Sequence, residues 1–403
     1  MKFEIDHKTL VSALQRGGIS NQTKEAIDPD KSRKQPLLSC VKLTADKDGL
    51  TIESSSAGLS AKSSLAKDKI KISETGTVCV EGPDWLGDIK RLILPHNISF
   101  EFDSEQKRVD ETIPARAWVR ATNAKGRESF AWSYDCYATK NFPKIVYGDN
   151  KPTIKINGAD LKKAIRGVNF SVESEDFIQV FDNIVFCMTK KGLYIAGSDN
   201  RRGAIVKLDK AIQSTTEGKI VINAFLLNKT TSCFNGDEMI NISIEDDNNH
   251  LVFANEDHST LVRASMPSEE SRQRYPEITK TMDNIMEVTV DIPDRQEFLQ
   301  AMISLEHKAD NGEFCVVAGK EEISIKFSDR HKPALVGCAK IAKGLQNGPI
   351  PLNIKFLLDI LQQMEGTSMK LSFFAKEIRA VLQDSSEPNY FYLMQKAKPI
   401  SPK

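Results

Sequence analysis

The segment GKIVINAFLLNKTTSCF, residues 218–234, joins a short alternating strand to a helix-like run and occurs three times in related form. Its counterparts are GTVCVEGPDWLGDIKRL at residues 76–92 and GPIPLNIKFLLDILQQM at residues 348–364. In each copy a glycine opens the strand, and Trp85, Leu226 and Leu357 occupy equivalent places in the following run. The copies lie between 130 and 142 residues apart, so the repeating unit has the size of a domain.

Two further patterns precede this segment in every unit. The first is strand, polar turn, strand, with the period-two alternation of a sheet that has one buried face, at residues 40–53, 184–196 and 314–326. The second is an amphipathic helix, at residues 7–18, 158–168 and 294–305, with Asp160 and Asp294 near two of the helix starts. These patterns predict an α+β chain of three domains, at residues 1–148, 149–281 and 282–403.

The composition is that of a folded protein with several domains. Of 403 residues, 40% are hydrophobic and 27% are charged, which lies within the globular range. No stretch approaches the roughly 20 apolar residues of a membrane span. The opening residues MKFEIDHKTL alternate charge instead of forming the apolar core of a signal peptide. We therefore expect a cytoplasmic location.

Cysteine and histidine spacing does not indicate a metal site or a disulfide framework. The seven cysteines are scattered, mostly within apolar runs, so we expect buried, reduced thiols. The sequence contains no paired metal-ligand spacing, no phosphate-binding loop and no nucleophile elbow. It thus predicts no catalytic residue, no metal and no cofactor. A hydrolase with loop carboxylates, such as Asp182 and Asp199, is the alternative; residues 246–249 (DDNN) are expected to form a hairpin turn.

Charge is balanced over the whole chain but not over the predicted helices. The 55 basic residues equal the 55 acidic ones, an average that argues against a strongly basic surface for nucleic acid. The six predicted helices hold ten basic and six acidic residues. Helices side by side on one sheet face would gather this excess into a surface that holds phosphates without reading bases. A solvated helical face is the alternative that charge alone leaves open.

Six short sequence strings, spread over nearly the whole chain, are informative because of their order and spacing. They are MKFEIDHKTLVSALQ at 1–15, QPLLSCVKL at 35–43, NFPKI at 141–145, GLYIAGSDNRRGAIV at 192–206, YPEI at 275–278 and NYFYLMQ at 389–395. In order and spacing they resemble the bacterial sliding clamp, the beta subunit of DNA polymerase III. The resemblance implies three repeated clamp-type domains, each with two helices packed on antiparallel sheets, closed into a ring as a head-to-tail homodimer.

The resemblance also implies function and partners. Such a ring would encircle double-stranded DNA without sequence preference and would tether the replicative polymerase and other DNA-processing proteins as a processivity factor. A separate, ATP-driven clamp loader would open the ring, and the chain itself would be non-catalytic. A specialised clamp copy that does not serve the main replicase is an alternative that the sequence leaves open.

The family turns basic helix residues and a basic loop towards DNA. The residues expected to face the duplex here are Lys8, Arg16, Arg33, Lys34, Lys90, Arg91, Lys162, Lys163, Arg166, Lys229, Arg295 and Lys355, with Lys31 next to the loop pair. For the loop before Pro36, a polar loop without DNA contact is the alternative.

The family docks partner peptides in an apolar pocket between domains two and three. The matching residues are Phe181, Ser198, Asn200, Arg201, Arg202, Gly203, Pro276, Lys280, Thr281, Arg379, Tyr392, Leu393, Met394 and Gln395. Gly203 replaces a large apolar residue, and Gln395 begins a departure that runs into a tail to Lys403, so we expect altered partner specificity. Ordinary strand and turn positions are the alternative. Residues 104–130 exceed the family's hairpin, and we expect an insertion there.

Overall fold

A computed structural model gives the fold of most of the chain. It describes residues 1–18, 40–56, 58–81, 83–92, 96–102, 115–123, 125–137, 139–148, 150–172, 181–199, 201–214, 217–275, 286–306, 313–318, 322–326, 334–338, 340–341, 350–374 and 379–395. These residues form two compact units, Met1–Lys162 with Phe225–Met266 and Lys163–Ala224 with Pro267–Lys403.

The first repeat begins with a short strand that leads into a capped helix, and most of its remaining elements are strands. The carboxylate of Asp6 accepts hydrogen bonds from the amides of Lys8 and Thr9, both at 3.0 Å, which satisfies the first free N–H groups of the helix. The helices are α1 (His7–Arg16) and α2 (Pro83–Lys90). The strands are β1 (Lys2–Asp6), β2 (Cys40–Ala45), β3 (Gly49–Ser56), β4 (Leu59–Ala66), β5 (Lys71–Glu74), β6 (Gly76–Glu81), β7 (His96–Phe102), β8 (Ala115–Asn123) and β9 (Glu128–Tyr137).

The second repeat follows the same order of elements. Its helices are α3 (Gly158–Asn169), α4 (Ala224–Ser232) and the short α5 (Glu269–Arg274). Its strands are β10 (Ile154–Asn157), β11 (Asn183–Thr189), β12 (Gly192–Ser198), β13 (Arg202–Leu208), β14 (Ile212–Gln213), β15 (Gly218–Asn223), β16 (Met239–Ile244), β17 (His250–Asn255) and β18 (Thr260–Ser265). As the spacing predicts, Leu161, Ala164, Ile165 and Val168 of α3 are buried.

The third repeat has two helices, α6 (Arg295–Glu306) and α7 (Ile354–Gln363). The side-chain oxygen of Asn353 accepts hydrogen bonds from the amides of Lys355 and Phe356, so Asn353 caps α7. The strands are β19 (Met286–Ile292), β20 (Glu313–Ala318), β21 (Glu322–Lys326), β22 (Ala334–Cys338), β23 (Lys340–Ile341), β24 (Ile350–Asn353), β25 (Met369–Phe374), β26 (Arg379–Asp384) and β27 (Tyr390–Gln395).

In the first unit, one antiparallel sheet joins strands from two repeats. Its strands run in the order β10-β16-β17-β18-β4-β3-β2-β6-β9-β8-β7-β1-β5. The joint between the repeats is the pair β18 and β4, with Val262 opposite Ala61. The core under the first repeat includes Trp85, fully buried, and the stacked rings of Phe3 and Phe100, 5.0 Å apart. Burying each such ring contributes about 2 to 3 kcal/mol, so the sheet and its helices are held mainly by this apolar contact.

In the second unit, a second antiparallel sheet joins repeats two and three. Its order is β15-β11-β12-β13-β27-β26-β25-β19-β23, and a smaller sheet follows the order β22-β21-β20-β24. Strand β13 pairs with the last strand β27, which sets Gly203 opposite Leu393. Each unit therefore contains the pairing between two neighbouring repeats, and the second repeat contributes strands to both units. The division into domains at residues 148 and 281 stays a prediction.

The sequence patterns predict the elements well. All three strand-turn-strand patterns form antiparallel strand pairs, and β6, β15 and β24 each lead into a helix. The thiols of Cys40, Cys79, Cys136 and Cys233 are buried and free of disulfides, as expected, and that of Cys187 is half-buried. In the expected insertion at 104–130, the described residues belong to β8, to the turn after it and to the start of β9. No helix in the described part of the chain is long and apolar enough to span a membrane.

Candidate functional site

Basic side chains stand exposed on helices of all three repeats. Four that form no ion pair with any described residue are Lys8 on α1, Lys90 on α2, Arg166 on α3 and Lys355 on α7. Arg91, one residue after α2, is 83% exposed and lies 3.4 Å from Asp88. An ion pair this exposed is weak, so Arg91 remains available to an anion. Lys229 on α4 is half-buried, with its ammonium 5.3 Å from the centre of the Phe225 ring.

Arg16 is held within the first unit. Its guanidinium lies 2.7 Å from the carboxylate of Glu238 and 3.3 Å from the hydroxyl of Thr260. Both charged side chains are about four-fifths buried, so solvent screens the pair little. Because Arg16 belongs to the first repeat and both partners to the second, this contact helps to join the two repeats.

Two basic residues of α3 are also engaged. The ammonium of Lys162 donates to the backbone oxygen of Phe234 at 2.5 Å. Lys163 forms an ion pair with Glu387 and lies over the ring of Tyr390, at 5.7 Å from its centre. Half of the Lys163 side chain stays exposed, whereas Lys162 is more enclosed. The charge that α3 can offer to an anion is therefore centred on Arg166.

The prediction that Arg295 faces DNA is wrong. The residue is only 6% exposed, and its guanidinium donates to the backbone oxygens of Gly366, at 2.6 Å, and Leu361, at 2.8 Å. These carbonyls lie at and beyond the end of α7, where helix oxygens lack internal partners. Arg295 therefore closes the end of a neighbouring helix, a role that charge counting along the sequence does not reveal.

Several predicted site residues lie outside the described part of the chain. These are the loop cations Lys31, Arg33 and Lys34 and the pocket residues Asn200, Pro276, Lys280 and Thr281. Arg379 and Gln395 are paired directly across β26 and β27.

The last strand, β27, carries several of the predicted pocket residues. Tyr392, Leu393 and Met394 are all buried, at 6% exposure or less, and β27 lies between β13 and β26. Phe181 and Ser198 are half-buried, and the Ser198 hydroxyl donates to the backbone oxygen of Arg202 at 2.9 Å. Ser198, Gly203 and Leu393 lie on neighbouring strands at the junction of repeats two and three, within the second unit.

Arg202 is enclosed by acidic and aromatic side chains. Its Nε donates to Asp199 at 2.8 Å, and its Nη1 donates to Asp359 of α7. Its guanidinium lies 5.8 Å from the ring centre of Phe170 and 5.3 Å from that of Phe356. Cation–π contacts of this kind add to the ion pairs. The sequence predicted Arg202 as a pocket residue but missed these partners, because Phe356 and Asp359 lie more than 150 positions away.

Gly203 lies in a tight part of the sheet. A Cβ atom added there would stand 3.2 Å from the backbone oxygen of Gly197 and 3.6 Å from Leu393. Leu393 belongs to an apolar cluster that Tyr275 also joins. Burial raises the pKa of the Tyr275 hydroxyl, which donates to the backbone oxygen of Asn183 at 3.2 Å. The glycine therefore matches the local packing, and a large wall residue would require its neighbours to shift.

The two carboxylates of the hydrolase alternative are both occupied. Asp182 accepts hydrogen bonds from the side-chain amides of Asn183, at 2.7 Å, and Asn223, at 2.8 Å. Asp199 accepts from the backbone amides of Arg201 and Arg202 as well as from the Arg202 side chain. These donors assign the two acids to turn and strand structure instead of acid–base chemistry.

A cluster of Glu245, Asp247 and His250 has ligand atoms within 4.8 Å of one another. The guanidinium of Arg263 already lies 2.7 Å from Glu245, and His250 lies 2.7 Å from Asp247. A cation in this position would have to displace the positive charge of Arg263. Residues 246–249 form the turn between β16 and β17, as predicted, with Asn248 at a φ of 53°.

Comparison with known proteins adds a decisive observation. The family model described as DNA polymerase III beta subunit, N-terminal domain, matches residues 1–119 and 153–279, which make up more than half of the chain. The chain belongs to the DNA polymerase III beta subunit family. The two matched ranges correspond to most of the first two repeats, in which the exposed cations of α1, α2 and α3 lie.

Individual relatives agree with membership of the beta subunit family. The beta sliding clamp of Staphylococcus aureus (strain Mu50) is 21% identical over 389 residues, covering 93% of each chain. The crystal structure of the DNA polymerase sliding clamp from Bacillus subtilis has a TM-score of 0.76 at 18% identity and covers 99% of both chains. That of the DNA polymerase III subunit beta from Pseudomonas aeruginosa gives 0.76 at 14% identity. The chain therefore has the α+β sliding-clamp fold with a divergent sequence.

Proposed function

We propose that the chain is a DNA sliding clamp, a ring-forming processivity factor without catalytic activity. The observation that carries the proposal is the beta-subunit family match over more than half of the chain. The exposed cations on helices of the first two repeats support it, because a surface that contacts only phosphates suits a protein that moves along any sequence. The occupied carboxylates Asp182 and Asp199 weigh against the hydrolase alternative.

Enclosure would make the mechanism topological. A closed ring cannot leave a circular duplex, so attraction to phosphates need only be weak, and weak contacts allow sliding. The net charge of zero suits this mechanism, since a strongly basic protein would bind open DNA tightly and move slowly.

An open strand edge in the first repeat would serve ring closure. Among the described residues, β9 pairs with β6 only at Cys136 and Tyr137, so residues 128–135 have β8 alone beside them. A second chain can add a strand to such an edge. Near the start of β9, the ring of Phe130 stacks on that of Trp132 at 5.7 Å, and Phe130 is 51% exposed. This aromatic pair offers an apolar contact beside the free edge.

The complementary surface would lie on the third repeat of a second chain. Head-to-tail association of repeat one with repeat three uses two different surfaces, and with two chains it closes a ring.

The solution mass tests ring closure. We expect sedimentation to give twice the 45.0 kDa of one chain. Replacing Phe130 by Asp would put a charge into the proposed interface and shift the protein to monomer. The matched control is Trp118→Asp, because Trp118 is 43% exposed but its strand register places it on the opposite face of the hairpin. A wild-type monomer, or equal dissociation by both variants, would contradict this interface.

We further propose a separate clamp loader, the replicative polymerase and other proteins with clamp-binding peptides as partners. The pocket at β13 and β27, with Arg202 and Gly203 at its edge, would receive such peptides. Affinity capture with the host polymerase and loader separates a replicative clamp from a specialised copy. Capture of both partners supports the replicative assignment, and failure with both favours the specialised copy.

A further inference from the structure

Exposed positive charge is unevenly distributed over the helices. The first repeat offers Lys8, Lys90 and Arg91, and α3 of the second repeat offers Arg166. Each is exposed, and among the described residues only Arg91 has an ion-pair partner, the carboxylate of Asp88 at 3.4 Å. These four side chains can meet a phosphate without first breaking a buried contact.

The exposed faces of α4 and α6 differ in chemistry. On α4 the exposed residues are Phe225, Asn228 and Ser232, and its Lys229 is half-buried. On α6 the described exposed residues are Gln296, Glu297, Gln300, Ile303 and Ser304, whereas its cation Arg295 is buried. The exposed residues described on α4 are therefore uncharged. Those described on α6 include one charged residue, the negative Glu297.

The remaining helix, α7, is nearly neutral at its surface. Lys355 is exposed, and one turn later Asp359 is about half exposed while it pairs with Arg202. Residues four apart are neighbours on a helix, so the carboxylate offsets the field of Lys355. Together with Glu297, the two helices of the third repeat present no positive excess.

We propose that, among the helix cations in the described part of the chain, phosphate contact is confined to Lys8, Lys90, Arg91 and Arg166, on or next to α1, α2 and α3, and that α4 and α6 make none. This inference rests on the proposed clamp function and specifies which part of the helical surface touches DNA. Each chain then contacts the duplex through the first repeat and helix α3 of the second repeat. The faces of α4 and α6 supply surface over which DNA passes without an ionic contact.

The test is the salt dependence of binding to a short fluorescent duplex, whose open ends let a ring thread on without a loader. The triple variant Lys8→Gln, Lys90→Gln, Arg166→Gln removes three cations from each of the two chains of the ring. It should make the fall of log affinity with log salt less steep by up to about 5, because each phosphate contact contributes about 0.9. The matched control removes the same charge from exposed lysines outside these helices: Lys47→Gln, Lys69→Gln, Lys210→Gln. It should change the slope little.

A third variant, Gln300→Lys, adds a cation to α6. It should make the salt dependence steeper by up to about 2, because in each of the two chains a face that borders DNA without a phosphate contact gains one. Equal losses in the two triple variants, or no gain from Gln300→Lys, would overturn the proposal. Either result leaves the clamp function standing if the wild-type protein is still retained on circular DNA. Loss of that retention in the wild type would instead refute the function.

Discussion

At the scale of single residues, Arg202 shows how one side chain can join distant parts of the chain. It links the turn after β12 to helix α7 through Asp199 and Asp359 and lies beside two phenylalanine rings. Only 19% of the side chain is exposed, so its ion pairs are only partly screened. Arg201, its neighbour in sequence, is exposed and provides a natural comparison.

Replacing Arg202 by Ala should lower the free energy of unfolding by about 2 kcal/mol, because two carboxylates lose a charged hydrogen-bond donor. It should also weaken the binding of partner peptides, because the turn that precedes Gly203 is no longer fixed to α7. Arg201→Ala should change stability by no more than about 0.5 kcal/mol. Urea unfolding of both variants provides the measurement, and equal effects would contradict the role of Arg202.

Asp384 makes stability depend on pH. The carboxyl is buried, which by itself would raise its pKa, but hydrogen bonds from Ser386 and Gly366 and the nearby Arg295 hold the pKa below 3.8. A lowered carboxyl pKa stabilises the fold above the unfolded value, and that contribution is lost as pH falls through the folded value.

We therefore expect Asp384→Asn to cost about 2 kcal/mol at pH 7, where the wild-type carboxylate is ionised, and less below pH 3.8. Denaturant unfolding of both proteins over this pH range measures the difference. If the difference in free energy of unfolding between the two proteins stays constant or widens in acid, ionisation of Asp384 does not stabilise the fold.

At the scale of elements, the sequence pattern predicts individual strands and helices better than it predicts contacts between distant parts of the chain. The threefold glycine-strand-helix pattern predicts β6 with α2, β15 with α4 and β24 with α7, since alternation and helical spacing are local properties. The burial of Arg295 is not predictable in this way, because its partners lie about 70 residues further along. The same limit applies to the aromatic pair at Phe130, whose exposure depends on where β9 stops pairing with β6.

Strand pairing between repeats leads to a prediction for the second repeat when it is produced as an isolated fragment. In the full chain, β18 pairs with β4 and β13 pairs with β27. A fragment of residues 149–281 would lose both partners and expose two sheet edges, which promote association. We expect it to self-associate or to unfold without cooperativity, as gel filtration and circular dichroism would show. A monomeric fragment with a sharp unfolding transition would instead mark the repeat as an independent domain.

At the scale of the whole molecule, the zero net charge is compatible with DNA handling because its distribution differs from its sum. The sequence predicts an excess of basic residues on the helices, and the structure reduces that excess. Arg295 is buried, Arg16 pairs with Glu238, and Lys163 pairs with Glu387. Which cations remain free depends on tertiary partners, so the sequence identifies the helices but not the contacting residues.

Retention on DNA tests enclosure most directly. The protein is loaded onto a nicked circular duplex by a clamp loader, and bound protein is measured before and after one restriction cut linearises the circle. A sliding ring should stay on the circle at physiological salt and leave through the ends of the linear form, because weak phosphate contacts alone do not hold it. Equal retention on circular and linear DNA would show that contacts, not enclosure, hold the protein, and would contradict the clamp function.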